Sequence, residues 1–132
     1  MSLINLITPT TQSVLQNGTV PLTNIARRKG CTLDANSDTI ILKRPGYYTV
    51  DISATVTSAT AGVTSTLVVT KAGVPVQGLT ASESIADANE IVNLHLTGIV
   101  RVFCSEGAST LNLVNTGDAI TLTNLSVVVE DI

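Results

Sequence analysis

The sequence predicts a single all-β domain, built as a sandwich, jelly roll or barrel of short antiparallel strands. Thr, Val and Ile together fill 47 of the 132 positions, and these β-branched residues are enriched in strands. Segments with strand character follow one another at a spacing of roughly 8–12 residues, which is typical of such folds. No segment shows a convincing helical period. Hydrophobic residues make up 44% of the chain, which excludes intrinsic disorder.

The clearest strand covers residues 46–57, where apolar and mostly polar residues alternate, as in a strand with one buried face. A short strand at 39–43 precedes it, and the turn Arg44-Pro45-Gly46 joins the two. After a flexible loop at 58–62, strands are predicted at 64–71 and 76–79, with 72–75 closing a hairpin. The segment 81–89 is interpreted as a loop.

A long strand is predicted at 91–104, with Gly98 as a bulge or bend on its apolar face. Short strands at 110–114 and 119–123 flank a turn cluster at 115–118, and 125–129 forms the last strand, which we expect to be central in its sheet. The alternation predicts a core of small apolar residues. Its members are Tyr48, Val50, Ile52, Ala54, Val56, Val100, Val102, Leu113, Leu122 and Val127.

The distribution of charged and apolar residues argues against a nucleic-acid-binding module and against a membrane-spanning helix. The net charge is −3 and only 13% of residues are charged, so the basic stripe with interleaved aromatics of a nucleic-acid module is absent. No apolar run reaches the roughly 18 residues of a membrane helix. The N-terminus lacks the charged region and cleavage site of a signal peptide, so we expect synthesis in the cytoplasm, which leaves release by lysis as a route to an extracellular particle.

The residues that could perform catalysis are sparse. His95 is the single histidine, no G-x-S-x-G elbow accompanies it, and its alternation places it on the face opposite the apolar stripe. Asp34 and Asp38 superficially resemble a calcium loop but lack its central Gly and distal Glu, so a turn explains them as well. We therefore predict a protein that is not an enzyme and binds no metal or cofactor.

Two further features have structural interpretations. Cys31 and Cys104 belong to no CxxC unit, and in a chain without a visible signal peptide we expect reduced, buried thiols. The basic run 27–29 is interpreted as a solvated turn, with an inter-subunit salt bridge to the acidic segment 130–131 as the second interpretation.

The segment 39–56, with its turn Pro45-Gly46-Tyr47-Tyr48, resembles the C1q/TNF-like jelly-roll family. The hairpin at 65–78, the paired strands around Gly117-Asp118 and the closing strand at 125–129 follow in the family's order, so the resemblance spans about residues 38–129. Few aromatic residues are present, and the chain looks closer to the small Thr/Val-rich versions of bacteria and their phages. The resemblance implies an antiparallel jelly-roll β-sandwich that assembles as a homotrimer.

An oligomer is also expected because, on several strands, residues that alternate with the core residues are apolar too. On a monomer these outward-facing residues would form exposed patches. The predicted trimer interface consists of Ile41, Val68, Ile91, Ile99, Phe103, Val114 and Val128. Residues 1–20 are assigned to an N-terminal arm and first strand, in which the apolar segment Leu3 to Pro9 docks to a particle or swaps onto a neighbouring subunit. Residues 21–132 form the jelly-roll domain.

Three roles fit this description. The favoured role is a virion component of a phage or prophage, such as a head fibre, decoration protein or tail-associated module, located on the particle surface. The second is a bacterial surface or spore-coat domain. The third is a carbohydrate- or receptor-binding module, in which Tyr47 is the candidate ligand contact because sugar sites use exposed aromatic rings.

Overall fold

The computed structural model describes residues 2–8, 10–22 and 24–132, and the described residues form strands and turns with no helix. None of them lies in a helix that is long and apolar enough to cross a membrane. The strands are β1 (Leu3–Thr8), β2 (Gln12–Val14), β3 (Ile25–Lys29), β4 (Leu33–Asn36), β5 (Thr39–Leu42), β6 (Gly46–Thr57), β7 (Val63–Lys71), β8 (Val74–Ile85), β9 (Ile91–Val102), β10 (Ser109–Asn115) and β11 (Ile120–Asp131).

The strands form two antiparallel sheets that pack face to face. The six-stranded sheet has the order β3-β1-β11-β6-β9, with β2 also paired to β11, and the five-stranded sheet has the order β4-β5-β10-β7-β8. The chain passes from one sheet to the other in the loops 30–32, 43–45, 58–62, 86–90, 103–108 and 116–119. The predicted jelly-roll sandwich is confirmed, and β11 is central as expected.

The core lies between the sheets and contains all ten residues that alternation predicts. Each of the ten is at most 2% exposed, because every second residue of a strand points to the same side. Tyr48 is the one aromatic side chain among them, and its hydroxyl donates to the Arg44 carbonyl at 2.6 Å. Aliphatic side chains fill the rest of this interior.

The hairpin between β7 and β8 has a connection of only two residues. Lys71 pairs with Val74, so the turn contains only Ala72 and Gly73, whose φ angles are 51° and 84°. Two successive positive φ angles define the type I′ turn that matches the twist of antiparallel strands. The predicted hairpin is therefore present, but its second strand begins at Val74 and not at Val76.

Several predicted boundaries are wrong. The loop expected at 81–89 is strand as far as Ile85, because this segment pairs with β7 along its length. Gly98 forms no bulge, since it pairs in register with Val50. The strands expected at 119–123 and 125–129 are one strand, β11, with an irregularity in register between Leu122 and Asn124.

The N-terminal segment is part of the sandwich. β1 pairs with β11 on one side and β3 on the other, and Ile4 and Leu6 are fully buried in the core. Val14 and Val20 are also core residues, so the described part of residues 1–20 contributes to the same hydrophobic core as the jelly-roll domain assigned to residues 21–132. Pro9, which the prediction included in the arm, lies outside the described residues. Docking or swapping of this segment stays a prediction.

Candidate functional site

The seven residues of the predicted trimer interface do not share one face. Ile91, Ile99 and Val128 lie on the outer face of the six-stranded sheet, which we call face A. Ile41, Val68 and Val114 belong to β5, β7 and β10 of the other sheet, and their parity places them on its outer face. Phe103 follows the last residue of β9, so the alternation of that strand does not extend to it. Alternation along a strand predicts whether a side chain points inward or outward, but it does not predict to which of the two sheets the strand belongs.

The two outer faces differ in how much apolar surface they leave uncovered. On face A, Ile91 is 65% exposed and Ile99 is 59% exposed. On the opposite face Val68 is only 6% exposed within its own chain, so it has little surface left to bury against a neighbour. Ile41 and Val114 are half-buried. Face A is therefore the better candidate for a subunit interface.

Face A also has an open depression at its centre, lined by residues of three neighbouring strands. Its lining residues include Thr49, Asp51, Thr97, Ile99, Val128 and Glu130. The Thr97 hydroxyl donates to the Asp51 carboxylate at 3.4 Å. Glu130 aligns with Leu3 on β1 and Thr49 on β6, and Lys29 on β3 also aligns with Leu3. Acidic side chains thus stand in the middle of face A, with the basic side chains of β3 along one edge.

His95 lies on face A, level with Ser53 of β6. Its side chain is exposed, as the sequence predicts. No group of three or more His, Cys, Asp or Glu residues suited to holding a metal ion occurs in the described part of the chain.

Tyr47 and Phe103, which sequence reasoning assigned to two different roles, both lie close to the guanidinium group of one arginine. The Arg101 guanidinium carbon is 4.4 Å from the centroid of the Phe103 ring and 5.3 Å from that of the Tyr47 ring. Tyr47 is 50% exposed and Phe103 is 47% exposed, so both rings have surface available for a partner. We call Tyr47, Arg101 and Phe103 the aromatic cluster.

Lys71 and Glu106 hold the backbone of this cluster in place. The Lys71 ammonium group donates to the Arg101 carbonyl at 2.7 Å and to the Glu106 carboxylate at 3.0 Å. The same carboxylate oxygen accepts the Phe103 backbone N–H at 2.9 Å. The Phe103 N–H, followed by the Lys71 side chain, lowers the pKa of Glu106 below its ordinary value, because both groups stabilise the charged carboxylate.

The basic run 27–29 forms strand β3 and not a turn, although all its side chains are exposed as expected. Arg28 forms a salt bridge within the chain, at 3.2 Å from Asp34, and Lys43 lies 3.7 Å from the same carboxylate. The Asp34 side chain also accepts the Ala35 N–H at 2.8 Å. This hydrogen bond is the main cause of the lowered pKa of Asp34, a residue that stands in strand β4 and not in the predicted turn.

Cys31 and Cys104 are free thiols, and both are exposed. The expectation that they are unpaired is confirmed, whereas the expectation that they are buried is wrong. Cys104 lies beyond the end of β9, in the loop 103–108. Neither cysteine forms part of the core that the strands enclose.

Sequence reasoning missed Arg101, Lys71 and Glu106 as members of a common cluster. In the sequence, nothing distinguishes any of the three from an ordinary charged residue on the surface. The feature that brings them together is the pairing of Tyr47 with Arg101, 54 positions later in the chain, which depends on the register between β6 and β9. A single sequence does not specify that register.

The fold of this chain is similar to the folds of several proteins of known structure. No protein-family model and no curated protein sequence matches the chain. The globular domain of zebrafish complement 1qA protein is similar with a TM-score of 0.73 and 10% identity, covering 100% of this chain and 98% of that chain. Eiger TNF from S. frugiperda is similar with a TM-score of 0.68 and 11% identity, covering 100% of this chain and 94% of that chain.

The PRD1 vertex protein P5 is a third similar structure, with a TM-score of 0.62 and 16% identity. The similarity covers 100% of this chain and 73% of that chain. The sheet order, the antiparallel pairing and these three similarities agree. The protein has a C1q/TNF-like jelly-roll fold.

Proposed function

We propose that the protein is a non-enzymatic homotrimer that serves as a structural or adhesive component of a phage or prophage particle. It is made in the cytoplasm and displayed on the particle as a head fibre, a decoration protein or a tail-associated module. Face A is the surface through which the three subunits pack around a threefold axis.

The exposure of Ile91 and Ile99 on face A is the observation that supports this trimer most strongly. Each is more than half exposed in the single chain. Complete burial of such a side chain stabilises a protein by about 1.5–3 kcal/mol, and every copy in a trimer contributes the same residues. Threefold packing removes this apolar surface from water in all three subunits.

The charges on face A fit the same arrangement. A threefold interface is heterologous, so one patch of a subunit meets a different patch of its neighbour. Face A has basic residues along the β3 edge, Arg27 and Lys29, and acidic residues near its centre, Asp51 and Glu130. Complementary charges on one face allow copies of the same chain to recognise each other.

A pair of matched variants tests the interface. Ile99→Asp places a carboxylate in the proposed contact, where burial of an unpaired charge is strongly unfavourable, and Ile41→Asp places the same charge on the opposite outer face. We expect Ile99→Asp to yield monomers in sedimentation velocity and Ile41→Asp to remain trimeric. If Ile41→Asp dissociated and Ile99→Asp remained trimeric, the interface would belong to the other sheet, and this part of the proposal would be overturned.

The similarity to the PRD1 vertex protein P5 supports the particle assignment. Mass spectrometry of purified particles from an induced culture of the source organism tests it, with immunogold labelling to locate the protein on the particle. We expect its peptides at a constant ratio to the capsid protein through a density gradient. Recovery in spore coats or cell envelopes and not in particles would favour the second role and contradict the proposal.

A further inference from the structure

The charges of the sandwich are segregated between its two ends. All seven Lys and Arg residues lie in the half that contains the loops 43–45, 72–73 and 103–108, which we call the basic end. Asp34, Asp51, Glu106, Glu130 and Asp131 also lie there, because Asp51 aligns with Arg27 through Val128 and Asn5, so seven positive against five negative charges leave +2. The opposite end contains Glu83, Asp87, Glu90 and Asp118 without any Lys or Arg, and Asp38 lies near the middle. The basic end therefore attracts anionic partners, although the whole chain is acidic.

Arg101 has no acidic partner and is the one arginine of the described residues that lies over aromatic rings. Arg28 and Lys43 share the Asp34 carboxylate, and Lys71 pairs with Glu106. Among the residues that the structure describes, no carboxylate forms a salt bridge with Arg101. Its guanidinium group lies over two aromatic rings instead, which orients the group and leaves the N–H donors at its edge available.

The backbone that presents these side chains is fixed in advance. Lys71 and Glu106 bind the Arg101 carbonyl and the Phe103 N–H, and the Tyr47 carbonyl accepts the Ile132 N–H at 3.0 Å. A surface that is already ordered loses less conformational entropy when it binds a partner. The aromatic cluster therefore has the rigidity expected of a recognition site.

The surroundings of the cluster are aliphatic. Val74 pairs with Lys71, and Ile132 adjoins Tyr47. Both side chains are exposed. Exposed Tyr, Phe and Arg side chains are the types enriched in protein–protein contacts, and burial of aliphatic side chains is typical of the centre of such contacts.

We propose that the aromatic cluster at the basic end binds an acidic polypeptide segment of a partner protein. A carboxylate of the segment accepts two parallel hydrogen bonds from the Arg101 guanidinium group, a geometry that the planar fork of arginine favours. Apolar side chains that flank this carboxylate pack on the rings of Tyr47 and Phe103 and on the neighbouring aliphatic residues. The cluster lies at the basic end of face A, because Tyr47 and Arg101 alternate in step with Asp51 and Thr97, and it adjoins the proposed trimer interface at the centre of that face. The inference does not depend on a particle role.

The test is a binding measurement with defined probes. An array of short peptides with Asp or Glu among Leu, Ile and Phe is compared with the same peptides in which Lys replaces every acidic residue. Heparin fragments and oligogalacturonate serve as anionic glycan probes. Binding to the full chain is measured by fluorescence anisotropy at two salt concentrations, so that diffuse attraction is distinguished from a specific contact.

Arg101→Gln and Phe103→Ala are the test variants, and Arg44→Gln is the matched control. Arg44 is exposed at the same end, and its change alters the net charge as Arg101→Gln does. We expect the best acidic peptide to lose about tenfold or more in affinity with either test variant, the size of effect seen at interface hot spots. We expect Arg44→Gln to retain the affinity within about twofold, since most interface changes are near neutral.

Arg101→Lys separates charge from geometry, because lysine retains the charge but not the planar fork. A clear loss of affinity in this variant supports the two parallel hydrogen bonds. Equal losses in Arg44→Gln and Arg101→Gln would contradict the proposal, because they would reveal attraction to the whole end. Arg101-dependent binding of a glycan without binding of any peptide, or no probe bound above the level of Arg101→Gln, would also overturn it. Circular dichroism and light scattering confirm that each variant retains the fold and the oligomeric state of the unaltered protein.

Discussion

The side chain of Leu79 on β8 packs against Gly98 on β9, and this contact joins the two sheets along one side of the sandwich. A Cβ atom added to Gly98 would lie 3.0 Å from both Cγ and Cδ2 of Leu79. Leu79 is fully buried, so it has little room to move away. Gly98 is therefore required for the close approach of the sheets and not for an unusual backbone conformation.

Gly98→Ala is expected to lower the free energy of unfolding by about 1–3 kcal/mol, the usual cost of adding atoms to a packed core. Urea denaturation at a fixed protein concentration measures it. Leu79→Ala alone should cost about 2–5 kcal/mol because it leaves a cavity. The double variant should cost less than the sum of the two, since the smaller side chain makes room for the new methyl group. Strictly additive costs would show that the two residues are not in contact.

Asn115 ties the N-terminal segment to the loop before β11. Its buried side-chain amide donates to the carbonyls of Val14, Leu15 and Asp118 and accepts the Gly117 N–H. Asn115→Ala leaves these buried groups without partners, and each unsatisfied group costs about 1–3 kcal/mol. We expect thermal unfolding to shift downward far more than for Asn93→Ala, a change at an exposed amide bonded to Thr55. Similar shifts for both variants would contradict this role of Asn115.

The lowered pKa of the Glu106 carboxyl group predicts how the stability of the fold depends on pH. In the folded protein this pKa is below the ordinary value because the carboxylate accepts the Phe103 N–H and pairs with Lys71. A lowered folded pKa means that the contribution to stability is present above the unfolded pKa and is lost as pH falls through the folded pKa. The unaltered protein should therefore be more stable than Glu106→Gln at pH 7, and the difference should shrink below about pH 5. A difference that is constant from pH 7 to pH 3 would contradict this assignment.

Much of the fold was predictable from the residues themselves. Strand β6 alternates so regularly that its five inward residues, from Tyr48 to Val56, were identified without any structure. Strand β8 beyond Leu79 was missed because its residues Ala81 to Ser84 are small or polar and give little contrast between the two faces. It is a strand because β7 lies beside it, and this tertiary pairing outweighs the weak local pattern.

The candidate site was less predictable than the core. Tyr47 and Phe103 could be identified as outward-facing residues, but their common contact with Arg101 depends on the pairing of β6 with β9. The same limit applies to the interface residues: Ile99 and Ile41 are both apolar and outward-facing, and only the sheet order shows that they lie on opposite sides of the molecule.

The two cysteines offer a test of the chain in its folded state. Because Cys31 and Cys104 are both free and exposed, a thiol reagent should modify two groups per chain without denaturant and without a prior reduction step. Cys31→Ser and Cys104→Ser should each leave one reactive group. Reaction only after denaturation would show that the thiols are buried, and reaction only after reduction would show that they are paired.

The central claim is that three copies of this chain form the functional unit. Light scattering coupled to size exclusion, on the unaltered protein at micromolar concentration, measures the mass directly. The account predicts three times the 13.7 kDa of one chain, which is about 41 kDa, with thermal unfolding that shifts upward as the protein concentration rises. A mass of 13.7 kDa with unfolding independent of concentration would contradict it.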